Sequence, residues 1–198
     1  MSSHIVVRDG QEPSILVLGT HGLNYEIFSG LLEWGSIIAI WEEALEGVIN
    51  FNIKIDLIYC KSENIYTIKE KYSYQYPLEI IGINHGENPF DEIIQSLVLK
   101  EVKSINLIAN DAHLFIKLSE KYLHTIEIVI FHDTVKYYYI KNGNFTKWTF
   151  PDAGFIVISD HPYTIQGLEE VAPNKYKCTN DGQVAIQSDY GFWLGEVI

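Results

Sequence analysis

Apolar residues in the first two thirds of the chain alternate between short runs and helical spacing. Ile15 to Leu18 is an apolar run, and after the next loop one helix face is marked by Ile27, Phe28, Leu31 and Leu32. Further pairs of an apolar run and a helical segment continue to Phe131. This alternation is typical of successive βαβ units, and it predicts a mostly parallel sheet.

The predicted strands of this region can be given as ranges of the sequence: 15–18, 37–41, 55–60, 78–83, 105–109 and 126–131. Among the helices between them, the best-marked one begins near Asn88, which suits an N-cap, and Pro89, which suits the first helical position. Its apolar face is formed by Phe90, Ile93, Ile94, Leu97 and Val98.

Helical spacing disappears beyond about Asp133, and the rest of the chain has the pattern of short strands. Residues 135–140 and 145–150 flank Asn142-Gly143, a pair that favours a type I′ turn, and they therefore predict a β-hairpin. We expect an α/β fold with two domains. Residues 1–130 would form a Rossmann-like domain with a mostly parallel sheet, and residues 131–198 a small all-β sandwich.

The net charge of −12 argues against a polyanionic partner such as nucleic acid or an anionic membrane surface. No segment has the length and hydrophobicity of a signal peptide or a membrane span, so we expect a cytoplasmic protein. The two cysteines, Cys60 and Cys178, lack the spacing of a zinc site or a disulfide framework. The chain also lacks the Gly-x-Ser-x-Gly and HExxH motifs of hydrolases and zinc enzymes.

The last third of the chain carries residue patterns that resemble the thiamine pyrophosphokinase family. These are Gln166-Gly167-Leu168, then Cys178-Thr179-Asn180, then the alternating segment 184–189, with Trp193 and Ile198 near the end. The segment from Val129 to Phe145, read as a hairpin with an Asn-Gly turn, is also similar to the start of that family's β domain.

The resemblance implies a fold, an activity and a set of ligands. Members of the family are homodimers that transfer a pyrophosphoryl group from ATP to the hydroxyethyl arm of thiamine, with magnesium as cofactor. The nucleotide site lies at the carboxyl ends of the α/β strands, and thiamine lies between that site and the β domain. On this basis Gly167, Leu168, Thr179 and Asn180 are expected to bind thiamine.

The acidic motifs of that family are largely replaced in this chain. Where the family has Asp-Gly-Gly after its second strand, this sequence continues Trp41-Glu42-Glu43. At the start of the fourth helix only Asp91 matches a motif acid. The resemblance therefore assigns catalysis and magnesium binding to Asp91, with Asp56 as a second metal ligand. A carboxylate in a first helical turn is also favoured by the helix dipole alone.

Polar residues follow several of the predicted parallel strands. Because ligands bind beyond the carboxyl ends of such strands, we expect these residues to contact the nucleotide. The candidates are Thr20, His21, Asn84, His85, Asn110 and Asp111.

Two alternatives to pyrophosphoryl transfer remain open from the sequence. The loss of motif acids favours a non-catalytic protein that binds thiamine or a nucleotide. The histidines at positions 21 and 85 could instead serve a pyrophosphokinase with a different substrate.

Overall fold

A computed structural model describes residues 12–21, 23, 25–33, 37–84 and 89–198. Contacts within the chain divide it into two compact units, Met1–Ile128 and Val129–Ile198. We call them unit 1 and unit 2 and describe each by itself. Asn88 and His85 lie outside the described residues.

Unit 1 is built from parallel strands and the helices that connect them. The strands are β1 (Ser14–Val17), β2 (Ile38–Trp41), β3 (Leu57–Lys61), β4 (Glu79–Ile83) and β5 (Ser104–Ile108). They neighbour one another in the order β4-β3-β2-β1-β5, and each pair that they form is parallel. The helices are α1 (Tyr25–Leu32), α2 (Leu45–Ile49), α3 (Ile65–Lys71), α4 (Pro89–Leu99) and α5 (Ala112–Ser119).

The core of unit 1 follows the predicted periodicity. All of Ile15, Leu16 and Val17 on β1 are fully buried, as expected for a central parallel strand that is covered on both faces. The predicted face of α4 is buried as well, at Phe90, Ile93, Ile94 and Leu97. The mostly parallel sheet that the sequence predicts is therefore confirmed.

Unit 2 contains two antiparallel sheets. The strands are β6 (Glu127–His132), β7 (Val135–Ile140), β8 (Asn144–Thr149), β9 (Gly154–Ile158), β10 (Thr164–Gln166), β11 (Leu168–Ala172), β12 (Lys175–Cys178), β13 (Gly182–Gln187) and β14 (Phe192–Val197). In the larger sheet the strands follow the order β6-β7-β14-β9-β12-β11, and in the smaller one β10-β13-β8. A hydrophobic core contains buried side chains from both sheets, which therefore face each other as in a sandwich.

The predicted hairpin around Asn142-Gly143 is wrong. β7 pairs with β6 and β14, whereas β8 pairs with β13 in the other sheet. Gly143 has a φ of 66°, but Asn142 is not in the positive-φ region that a type I′ turn requires. The Asn-Gly segment therefore carries the chain from one sheet to the other. The tight hairpin of this region joins β6 to β7, where His132 is paired with Val135.

A half-buried ion cluster also links the two sheets of unit 2. Glu196 on β14 accepts hydrogen bonds from Lys147 on β8 and from the Tyr138 hydroxyl at 3.3 Å, and it pairs with Lys136 at 3.3 Å. Burial by itself would raise the pKa of Glu196, but the hydrogen bond from Lys147 and the charges of both lysines outweigh it and lower that pKa. Glu196 is thus ionised, and the two lysines balance its charge between the sheets.

Candidate functional site

The strand order of unit 1 reverses direction at β1. The chain runs outward from β1 through β2 and β3 to β4, and then returns to place β5 on the other side of β1. In an open parallel sheet, ligands bind in the crevice beyond the carboxyl ends of the strands at such a switch point. A ligand site is therefore expected at the loops that follow β1 and β5.

Two of the predicted nucleotide-binding residues are joined at this switch point. The backbone N–H of His21, after β1, donates a hydrogen bond of 2.8 Å to Oδ1 of Asn110, after β5. The approach is close enough that a Cβ atom at Gly19 would lie 2.3 Å from the Asn110 side chain. Glycine at position 19 is thus what lets the two loops meet.

Thr20 and Asp111, the other two candidates here, are fixed by their own elements. A Cβ atom at Gly47 of α2 would lie 2.5 Å from Oγ1 of Thr20, so the threonine packs directly on that helix. Oδ1 of Asp111 accepts the Leu114 N–H at 3.0 Å and caps the start of α5. Asp111 therefore has a structural role that is independent of any nucleotide.

Asn84 does not belong to this group. It follows β4, three strands away from β1, which corresponds to about 14 Å at the usual strand spacing. Its side-chain oxygen accepts the Ser62 hydroxyl at 2.8 Å, and its backbone N–H donates to Glu92 Oε2 at 3.2 Å. The predicted nucleotide set is therefore divided between two ends of the sheet edge, while His85 lies outside the described residues.

The four predicted thiamine-binding residues come together in unit 2. Leu168 begins β11 and is paired with Cys178, the residue immediately before Thr179 and Asn180. Gly167 has a φ of 76°, and a Cβ atom there would lie 2.7 Å from the carbonyl oxygen of Gln183. Glycine is thus required at the point where β10 turns into β11.

Comparison with known proteins identifies the fold. No protein-family model and no curated protein matches the chain. Among solved structures, thiamine pyrophosphokinase from Bacillus subtilis aligns with 93% of this chain and 98% of its own, at a TM-score of 0.69 and 12% identity. Thiamin pyrophosphokinase from Candida albicans aligns with 94% of this chain and 90% of its own, at a TM-score of 0.69 and 11% identity.

The yeast thiamin pyrophosphokinase structure covers 98% of this chain and 88% of its own, at a TM-score of 0.59 and 12% identity. These alignments extend across both units. The chain has the fold of the thiamine pyrophosphokinases. The resemblance predicted from the sequence is therefore confirmed at the level of the fold.

Glu42 directly follows β2 at its carboxyl end. Both of its carboxylate oxygens have partners: Oε1 accepts the Lys61 N–H at 3.2 Å, and Oε2 accepts Nδ2 of Asn64 at 2.8 Å. Glu42 therefore holds the loop after β3. The same residues border a groove of about 580 Å³ between α2 and α3.

Asp91 lies in the first turn of α4 and is bound on both oxygens. Oδ2 pairs with the Lys121 ammonium, and Oδ1 accepts the Tyr122 hydroxyl at 3.0 Å. The hydrogen bond to Asp91 raises the pKa of Lys121. Desolvation, reinforced by Asp91, likewise raises the pKa of Tyr122. These contacts connect the start of α4 to the end of the α5 segment.

Asp56 lies at the opposite end of the strands. It directly precedes β3, and its Oδ2 accepts the Ile38 N–H at 3.0 Å, while Oδ1 pairs with Lys54 at 3.1 Å. The five residues of β3 extend about 16 Å from there to the carboxyl edge. The structure therefore does not bring Asp56 and Asp91 to one metal site.

Among the described residues, no three side chains of His, Cys, Asp or Glu lie close enough together to hold a metal ion. Both cysteines are buried free thiols, and burial, with the nearby Glu42 carboxylate, raises the pKa of Cys60 to about 11. None of the described helices is long and apolar enough to cross a membrane.

Sequence reasoning did not select Trp148 or Asp181. The indole N–H of Trp148 donates to Oδ1 of Asp181 at 3.0 Å, and the tryptophan is largely exposed. A signal was present in the sequence. Side chains alternate between the two faces of a strand. Phe145 is buried on the inner face of β8, and Trp148 and Phe150 lie three and five residues after it, so they are on the outer face.

Proposed function

We propose that this protein transfers a pyrophosphoryl group from ATP to thiamine. The observation that carries the proposal is the fold match to thiamine pyrophosphokinases, which spans 93% to 98% of the chain and both units. In the proposed reaction the thiamine hydroxyl oxygen attacks the β-phosphorus of ATP. The bond from that phosphorus to the α-phosphate bridging oxygen breaks, AMP leaves, and the hydroxyl proton is released.

The proposed nucleotide site is the crevice between the loops after β1 and β5. Asn110 uses its side-chain oxygen for His21, which leaves the two N–H donors of its amide without a partner among the described residues. An exposed amide and the Thr20 hydroxyl are suitable donors for phosphate oxygens. Asn84, at the far end of the same edge, remains in the proposal, and so does His85, which lies outside the described residues.

The proposed thiamine site in unit 2 is the exposed segment of Thr179 and Asn180, beside Gly167 and Leu168. Thr179 Oγ1 accepts Nδ2 of Asn180 at 3.2 Å, which orients the amide oxygen away from its neighbour. A hydroxyl and an amide together can donate to and accept from the amino-pyrimidine nitrogens of thiamine.

The described carboxylates do not fit a preformed magnesium site, because both Asp91 oxygens have partners and Asp56 lies at the other edge of the sheet. Magnesium is commonly held by substrate phosphates with one or two carboxylates. We therefore propose that magnesium arrives on the ATP phosphates. Asp91 is the carboxylate that we assign to this magnesium ion. To bind the ion, Asp91 would have to give up its contact with Lys121.

The test is to incubate the purified protein with ATP, thiamine and magnesium and to separate the products by chromatography. Thiamine pyrophosphate and AMP should appear, and chelation of magnesium should stop both. If ADP appears with thiamine monophosphate, the reaction is a phosphoryl transfer and the proposal fails. A homodimer, which the resemblance also favours, is tested on the same sample by sedimentation.

A second function, binding without catalysis, is favoured by the contacts of Asp91. A carboxylate that already pairs with Lys121 and Tyr122 serves the packing of unit 1 without any metal. Calorimetry with thiamine, thiamine pyrophosphate and ATP separates the two functions. Binding of these ligands without product supports the binding protein, and product formation excludes it.

A further inference from the structure

The outer face of the small sheet in unit 2 carries two exposed aromatic side chains. Trp148 is 67% exposed and Phe150 is 72% exposed. They are two residues apart along β8 and its end, so they point to the same face of the sheet. Folding normally removes such large apolar groups from water, and their exposure side by side indicates a surface that contacts something else.

A carboxylate lies beside these aromatic groups, on the neighbouring strand end. β8 and β13 are antiparallel, with Thr149 paired to Gly182 and Trp148 to Gln183. Continuing that register places Asp181 opposite Phe150. The Trp148 indole N–H donates to Asp181 Oδ1 at 3.0 Å, which is the only polar contact of Asp181 among the described residues.

This hydrogen bond gives the indole a fixed orientation on an otherwise open surface. Oδ2 of Asp181 keeps its charge available to solvent, in a chain whose net charge is −12. The faces of aromatic rings attract cations, tryptophan most strongly, and a nearby carboxylate adds a direct charge interaction. The same surface repels phosphate and other anions.

We propose that Trp148, Phe150 and Asp181 form a binding site for a planar organic cation. The rings supply a flat apolar platform, and Asp181 selects the positive charge. Asp181 directly follows Thr179 and Asn180 along the chain. In naming the natural cation this inference rests on the proposed function, because the thiazolium ring of thiamine is a planar cation. The recognition of the cation class rests on the patch alone.

The test uses the indole N–H signal of Trp148 in a nitrogen-15 correlation spectrum, which the Trp148→Phe variant assigns. Two small probes form a matched pair: 1-methylnicotinamide, which is cationic, and nicotinamide, which is neutral. Thiamine is titrated in parallel. The cations should shift the Trp148 signal saturably, and nicotinamide should do so far more weakly.

The decisive variant is Asp181→Asn, whose amide oxygen can still accept the indole N–H while the charge is lost. It should weaken the binding of both cations about two- to fivefold, the range that follows from the loss of one exposed charge contact. The control is Tyr190→Ala, which removes another exposed aromatic side chain of unit 2 and should change neither affinity.

Each result decides the proposal. An unchanged affinity for the cations in Asp181→Asn overturns the proposal. A Trp148 signal that responds only to protein concentration also overturns it, because a second copy of the chain would then cover the patch. If thiamine turnover occurs with an unaltered KM in both Trp148→Phe and Asp181→Asn, thiamine is not the cation that this site binds, while the proposed function stands. If the cations shift Trp148 but no product forms, the site stands and the proposed function fails.

Discussion

The backbone N–H of His21 and the side-chain oxygen of Asn110 are joined by a hydrogen bond of 2.8 Å. The two residues are 89 positions apart in the sequence, yet they follow β1 and β5, the neighbouring strands at which the sheet order reverses. This bond defines the width of the crevice in which we propose that ATP binds. It also explains why glycine is needed at position 19.

Asn110→Asp should weaken ATP binding about tenfold, or ~1.4 kcal/mol. The aspartate keeps an oxygen for the His21 N–H but replaces the amide donors with a negative charge that repels phosphate. Calorimetric titration with ATP measures the effect. The matched control is Asn84→Asp, three strands away, which should change affinity less. Equal effects of the two variants would remove the preference for the β1/β5 crevice.

Gly19→Ala should lower the free energy of unfolding by about 1–3 kcal/mol, because the added methyl group overlaps the Asn110 side chain. The control is Gly30→Ala in α1, where no atom lies within 4 Å of the new Cβ. That change should raise the free energy of unfolding by up to about 1 kcal/mol, since alanine favours a helix. Urea unfolding of both variants checks the pair, and a tolerated alanine at position 19 would refute the close approach.

Glu196→Gln should destabilise the protein by about 1–3 kcal/mol at pH 7, because two lysines at the sheet junction lose their partner. The folded state lowers the pKa of Glu196, so its contribution is full above the unfolded pKa of about 4.3. That contribution is lost as the pH falls further, through the folded pKa. The variant should therefore show less loss of stability than the wild type between about pH 5 and pH 3.

The control for this prediction is Glu79→Gln, whose partner Lys100 lies in an exposed ion pair at 2.7 Å. Such pairs contribute less than about 1 kcal/mol. Thermal or urea unfolding at several pH values distinguishes the two sites. If the free energy of unfolding falls by the same small amount in both variants at pH 7, the junction of the two sheets does not depend on Glu196.

Asp91→Ala should abolish formation of thiamine pyrophosphate if Asp91 holds magnesium on the ATP phosphates. Lys121→Met removes the ion-pair partner and leaves the carboxylate, so it should retain turnover and bind magnesium–ATP at least as tightly. Initial rates at varied magnesium concentration measure both. Retained turnover in Asp91→Ala would exclude the metal assignment and leave Asp91 as a packing residue.

The parallel sheet could be predicted because its strands are continuous apolar runs, and the helices between them have one apolar face. β11 was not predicted. Its residues Leu168–Ala172 are mostly exposed on both faces, so no alternation marks the strand. The hairpin error has a different cause. The Asn-Gly pair indicates a local turn, but β8 pairs with β13, which lies some 40 residues further along the chain.

The candidate site could be predicted in part. The four residues around Gly167 and Thr179 lie together because β11 pairs with β12, and their role in thiamine binding stays a prediction. The division of the nucleotide set could not be foreseen, since sequence alone does not give the order of strands in the sheet. The position of Asp56 could be foreseen, because it stands near the start of the predicted strand 55–60, at the edge of a parallel sheet away from the carboxyl ends.

The most direct test of the central claim is a phosphorus-31 NMR time course of the protein with ATP, thiamine and magnesium. If the chain is a pyrophosphokinase, the signals of AMP and thiamine pyrophosphate grow at equal rates while the ATP signals decline. If both substrates bind and no thiamine pyrophosphate signal appears, the claim of pyrophosphoryl transfer is contradicted.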